Sequence, residues 1–183
     1  MPPSPETYDW EIRRERSEDA PAIAALNEAG FGPGRYAKSA YRLREGVTAA
    51  NDLGRVAVEN GILRGSVRFW PVKAGKDDVL LLGPLAVDGA ERGRGIGISL
   101  MQAGIEAARA AGWRAILLVG DAPYYGRVGF VKMPPGRLQF PGPVDINRLL
   151  GLALVEGALE TLSGPIRRAR IDETPCADGA PLG

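Results

Sequence analysis

The sequence predicts an α/β (α+β mixed) protein in which a mixed sheet carries helices on both faces. Two observations carry the prediction. The first is a hairpin signal: RVAVE at 55–59, Asn60-Gly61, then an apolar-rich run from Ile62 to Trp70. Asn-Gly suits a type I′ turn, whose two central residues both take positive φ. The second is a strand–loop–helix–strand unit. VLLLGPLAV at 79–87 empties into a glycine-arginine loop, a helix follows to Gly112, and WRAILLV at 113–119 reads as another buried strand. An antiparallel run that enters such a unit gives a sheet of mixed sense.

The elements follow in order. Residues 1–9 hold three prolines and little to bury, and are expected to be disordered. Trp10 to Glu15 alternates as a first strand. Ser17 offers an N-cap, Glu18 and Asp19 suit a first helical turn, and Ile23, Leu26 and Phe31 mark a stripe on a helix ending near Gly30. A second helix is expected over about Arg35 to Glu45, stopped by Gly46. After the hairpin, Lys73 to Asp78 reads as a polar turn. The helix from Ser99 to Gly112 repeats apolar residues at Ile98, Met101, Ile105 and Ala108, the spacing of one buried face. Beyond Phe130, Lys132 to Asp145 reads as a proline-rich excursion. Leu149 to Val155 fits a strand or a short buried helix equally, and residues 172–183 read as a flexible tail. One domain over 10–171 is the expected organisation, without internal repeats.

The loop after the strand bears on function. Gly93, Gly95 and Gly97 let the backbone approach a ligand closely, and the helix that opens behind them adds positive potential. Arg92 and Arg94 add two permanent cations suited to phosphate oxygens. No GxxxxGK string followed by Ser or Thr occurs in the chain, and the third glycine comes one residue early for a dinucleotide fingerprint. What remains is Arg92-x-x-Gly95-x-Gly97. It resembles the R/Q-x-x-G-x-G/A loop of the GNAT acetyltransferase superfamily, which grips the pyrophosphate of coenzyme A. A second stretch, GDAPYYGRVGF at 120–130, is similar to that superfamily's other signature, a tyrosine five residues before the Phe of a Gly-Phe pair. Here these are Tyr125 and Gly129-Phe130. The wording LGPLAV and GDAPYY is closer still to the small N-acetyltransferases of the YhbS type.

The resemblance implies a GNAT-like, mostly antiparallel central sheet and acetyl-CoA as co-substrate. It places the cofactor on Leu85, Ala86 and Val87 of the strand and on Arg92, Gly93, Arg94, Gly95, Ile96 and Gly97 of the loop. The pantetheine arm would lie along the strand, with the next strand diverging to open the cleft. The same resemblance makes Tyr125 the general acid to the departing thiolate, with Tyr124 the alternative if the register is off by one. A phenol with an ordinary pKa of about 10 keeps its proton at neutral pH.

Composition narrows the chemistry. The 183 residues include no histidine, which excludes Ser-His and Cys-His nucleophilic machinery and disfavours a zinc or iron site. No metal is expected. With 23 basic and 22 acidic residues, the net charge of +1 calls for neither nucleic acid nor an anionic membrane. The N-terminus lacks the basic and apolar regions of a signal peptide, and no apolar run is long enough to span a bilayer. The single cysteine, Cys176, lies in the tail, so a reducing cytoplasm is the expected compartment.

The amine acceptor, a small molecule or a protein, is not specified. By the resemblance its pocket falls at about 27–44, where Phe31, Tyr36 and Tyr41 offer an apolar slot and Arg35, Lys38, Arg42 and Arg44 offer charge. The strand before the loop holds no carboxylate, so Asp121, Glu28 and Glu59 are candidates for the general base by type alone. Two functions stand from these residues: an acetyltransferase acting by direct transfer, and a non-catalytic acyl-CoA-binding or sensor domain. A homodimer is compatible with either.

Overall fold

A computed structural model describes residues 9–31, 43–44, 47–50 and 52–169. The expected helix at 35–45 and the tail at 172–183 lie largely or wholly outside them, as do residues 1–8. The first strand, β1, is Glu11–Arg14, and helix α1 is Ala20–Phe31. A 3-10 turn at Ser17–Asp19 precedes the helix, so Ser17 is not its cap. Asp19 closes that turn. Its carboxylate accepts from the Arg16 N–H at 2.7 Å and from both Arg13 terminal nitrogens at 2.8 and 2.9 Å, tying the helix entry to β1. Ile23 is buried along α1, Leu26 is half-buried, and Asn27 joins the inward side.

The hairpin forms as expected. β2 (Arg55–Glu59) and β3 (Ile62–Ala74) meet at Asn60 and Gly61, with φ of 51° and 78°. β3 runs four residues past the expected end and β4 is Asp77–Val87, so the turn between them shrinks to Gly75-Lys76. The cause is a cross-strand pair. Lys73 stands opposite Asp78 in the ladder, their side chains 2.8 Å apart, so these polar residues belong to the strands.

Helix α2 covers Ile96–Ala110 and strand β5 Ala115–Val119. The one-turn helix α3 is Ala122–Tyr125, followed by β6 (Val131–Lys132), β7 (Leu138–Gln139), β8 (Leu149–Ala153) and β9 (Gly164–Arg168). The ambiguous stretch at 149–155 is therefore a strand over Leu149–Ala153, lying between β5 and β6. The sheet order is β1-β2-β3-β4-β5-β8-β6. All these pairs are antiparallel except β4 with β5. Strand β9 pairs with β3 over Val72–Ala74, past the end of the shorter β2, and β7 joins β9 in parallel.

Alternation along the central strands divides the core. Leu80 and Leu82 of β4 and Ile116 and Leu118 of β5 pack with Ile96, Leu100, Met101 and Ile105 of α2. Val79, Leu81, Ala115 and Leu117 face the other way, against Leu43, Met133, Leu162 and Ile166. Gly104 lets α2 press onto the sheet, since any side chain there would strike the Phe69 ring. Among the described residues, no helix is long and apolar enough to cross a membrane.

Candidate active site

The site begins where two parallel strands part. β4 and β5 pair only through Leu80 with Ile116 and Leu81 with Leu117. Past that point Leu82 to Val87 keeps a ladder with β3 alone. A bulge accompanies the parting. The β3–β4 register passes from Val67 opposite Leu85 to Phe69 opposite Leu82, so Gly83 and Pro84 together face Arg68. Pro84 has no N–H to give to a ladder, and a bulged strand bends. The Trp70 indole N–H donates to the Gly83 carbonyl at 2.6 Å and fixes the bend.

The loop is shaped by its own sequence. Asp88 accepts from the Ala90 N–H at 3.2 Å and caps a 3-10 turn over Gly89–Glu91. Gly93 and Gly95 both take left-handed φ, 86° and 87°, and Gly95 is the N-cap of α2. The first N–H groups of a helix have no intrahelical acceptor, so this end of α2 offers donors.

A cleft of about 390 Å³ occupies the gap. Leu85, Ala86 and Val87 form one wall; Arg92, Gly93, Gly95, Ile96 and Gly97 form the loop side; Tyr124 and Tyr125 close it from α3. Of the nine residues assigned to the cofactor from sequence, eight line this cleft. Arg92 is exposed there and has no acidic partner among the described residues.

Arg94 is the ninth, and it does not line the cleft. Its guanidinium is committed to carboxylates: to Glu91 at short range and to Glu59 at 3.0 Å, with Asp9 at 3.6 Å. Its charge also sits 4.9 Å from the Trp10 ring centroid. Arg64 extends the network to Glu59 at 3.4 Å and Asp88 at 3.0 Å. Hydrogen bonding from Arg94 holds the Glu59 carboxyl below its usual pKa, and the same contact raises that of Arg94. Arg94 thus ties the loop to the end of β2 and to the residues just before β1.

The two tyrosines end in different places. A β-carbon at Gly120 would overlap the Tyr125 ring, which therefore rests on the backbone just past β5. Phe130 and Tyr124 flank it edge-on at 6.2 and 5.0 Å. Burial pushes the Tyr125 phenol up to about 12. The Tyr124 hydroxyl reaches Gly97 at the start of α2.

None of the three candidate bases lines the cleft. Glu28 is exposed on α1, Glu59 is held by Arg94 and Arg64, and Asp121 is exposed beside Arg148 at 3.4 Å. Of the expected acceptor region, Gly30 lines the cleft, and the Arg44 guanidinium lies 5.9 Å from the Trp70 ring centroid. The Phe31 side chain, Arg35, Tyr36, Lys38, Tyr41 and Arg42 lie outside the description. Sequence reading missed Arg127, which lines the cleft one turn beyond the tyrosines. Its basic charge within GRVGF was the available signal. Among the described residues, no three Asp, Glu, His or Cys side chains gather as metal ligands would.

A family model described as an acetyltransferase (GNAT) domain matches residues 50–132. The chain is 35% identical over 127 residues to a protein of Escherichia coli K12 named uncharacterized N-acetyltransferase YhbS, covering 65% of this chain and 72% of that one. The chain belongs to the GNAT acetyltransferases. This is an acyl-CoA-dependent enzyme family. Another E. coli K12 relative, uncharacterized N-acetyltransferase YjhQ, is 32% identical over 164 residues, with 85% of this chain and 90% of that one covered. Two solved GNAT structures superpose closely. Escherichia coli YhbS in complex with CoA gives a TM-score of 0.75 at 30% identity over 87% of this chain and 89% of that one. A GNAT acetyltransferase of Brucella melitensis with acetyl-CoA gives 0.67, also at 30% identity, over 89% and 97%. The sheet with its parted strands is the GNAT fold.

Proposed function

We propose that this chain is an N-acetyltransferase that moves the acetyl group of acetyl-CoA to a primary amine by direct transfer, with Tyr125 as general acid. The observation that carries the reading is convergence. The glycine loop, the open edge of β4 and Tyr125 meet on one cleft, in a fold whose relatives were solved with CoA and acetyl-CoA. The residues fit such a co-substrate. Free N–H groups at the start of α2 and Arg92 suit a pyrophosphate. The unpaired edge at Leu85–Val87 suits the amide groups of a pantetheine arm.

In the reaction the amine nitrogen attacks the thioester carbonyl carbon, the C–N bond forms and the C–S bond breaks. The departing thiolate takes the Tyr125 proton, which solvent then restores. The amine loses its own proton to solvent, since Glu28, Glu59 and Asp121 are off the cleft and Glu91, which lines it, is held by Arg94. A main-chain N–H from 85–87 would stabilise charge growing on the carbonyl oxygen, an effect worth about 3 kcal/mol for one donor. The acceptor is a small-molecule or protein amine reached from the Gly30 side, and the compartment a reducing cytoplasm.

Acetyl transfer to a panel of amines, wild type beside Tyr125→Phe, tests this. A general acid of this kind contributes about 10²- to 10⁴-fold, so transfer should fall at least about a hundredfold in the variant. Binding of acetyl-CoA without transfer to any amine would favour the sensor reading. The lack of a carboxylate free for proton removal in the cleft is what favours that second reading.

A further inference from the structure

We propose that Tyr124 is a cofactor-contacting residue: its phenol O–H donates to a pyrophosphate oxygen of acetyl-CoA at the start of α2, and any side chain at position 97 would displace that hydroxyl. The proposal rests on the acetyl-CoA reading above and adds a residue to it.

The geometry is specific to this chain. Tyr124 Oη stands so close over Gly97 that a β-carbon there would collide with it, while a Val87 methyl lies 3.6 Å from the same point. The hydroxyl and the Val87 methyl thus both border the first turn of α2, where the strand edge gives way to the helix donors. Tyr124 lines the cleft, and its hydroxyl has no hydrogen-bond partner among the described residues. Burial raises its pKa, so the group stays a neutral donor, and the nearby Arg127 cation adds positive potential at the same wall. Tyr125, stacked on Gly120, is held at the end of β5, so the adjacent tyrosines divide the cleft between them.

Calorimetric titration with CoA of wild type, Tyr124→Phe, Gly97→Ala and the double variant tests the proposal. A hydrogen bond to a charged group is worth about tenfold in affinity, so Tyr124→Phe should bind CoA about tenfold more weakly with an unchanged melting temperature. Gly97→Ala displaces the hydroxyl and should weaken wild type comparably, yet cost little in the Tyr124→Phe background. Unchanged affinity in Tyr124→Phe, or an equal Gly97→Ala penalty in both backgrounds, overturns the proposal. A wild type that binds no CoA defeats the acetyl-CoA reading itself, before any variant is compared.

Discussion

Arg94 Nη2 lies 3.0 Å from Glu59 Oε1, joining the middle of the glycine loop to the last residue of β2. This contact decides what the second arginine of the loop does. Arg92 lines the cleft and, in the proposed function, meets the ligand, whereas Arg94 holds the loop backbone through its carboxylates. Arg94→Ala should therefore weaken acetyl-CoA binding about tenfold, within the range that misplaced binding groups cost, and also lower the melting temperature. Arg92→Ala should weaken binding without the thermal effect. Arg94→Lys should recover little, because one ammonium cannot span Glu59 and Glu91 as a guanidinium fork does. Calorimetry and thermal melts on the three variants check this.

Gly95 separates conformational cost from steric cost. Its φ is 87° and nothing lies within 4 Å of where a β-carbon would stand. Gly95→Ala should destabilise the protein by about 1–2 kcal/mol through the left-handed backbone alone, read from the midpoint of urea unfolding at unchanged slope.

With Tyr125 as the proposed general acid, the pH dependence of transfer follows from its phenol. Burial pushes its phenol up to about 12, so the proton is retained throughout neutral and mildly alkaline pH. Tyr125 should therefore impose no alkaline fall in kcat below about pH 11. A titration in kcat near pH 10, present in wild type and absent in Tyr125→Phe, would keep Tyr125 as the acid but contradict the upward shift of its phenol.

Acid stability should report the start of α1. Hydrogen bonds from Arg13 hold the Asp19 carboxyl below its usual pKa. With the folded value depressed, the stabilisation is present above the unfolded value of about 3.9 and is lost as pH falls through the lower folded one. Asp19→Asn should lower stability at pH 7 and show a shallower loss between pH 5 and 2, measured by urea unfolding across that range.

What was legible in the sequence was local chemistry. Asn60-Gly61 forms its turn because its own backbone preferences demand it, and Gly93 and Gly95, both at left-handed φ, mark the helix entry for the same reason. What was not legible depended on distant partners. The extended ends of β3 and β4 rest on the Lys73–Asp78 pair across the ladder. The strand at 149–153 is decided by β5 and β6 on either side. In β9, GPIRR buries only Ile166, so it carries no period and forms because β3 has an edge left over. Within the α2 stripe, Ile98 turns to the cleft while Leu100 takes the buried place. The direction of Arg94 follows from Glu59, 35 residues earlier.

The central claim is that this cleft binds acetyl-CoA through its loop. Calorimetric titration of the full chain with acetyl-CoA, beside Arg92→Ala, tests it most directly. The account predicts saturable one-site binding by wild type and affinity lowered about tenfold in the variant, the loss of one charge-assisted contact. Folded wild-type protein that shows no binding, or a variant that binds as tightly, would contradict it.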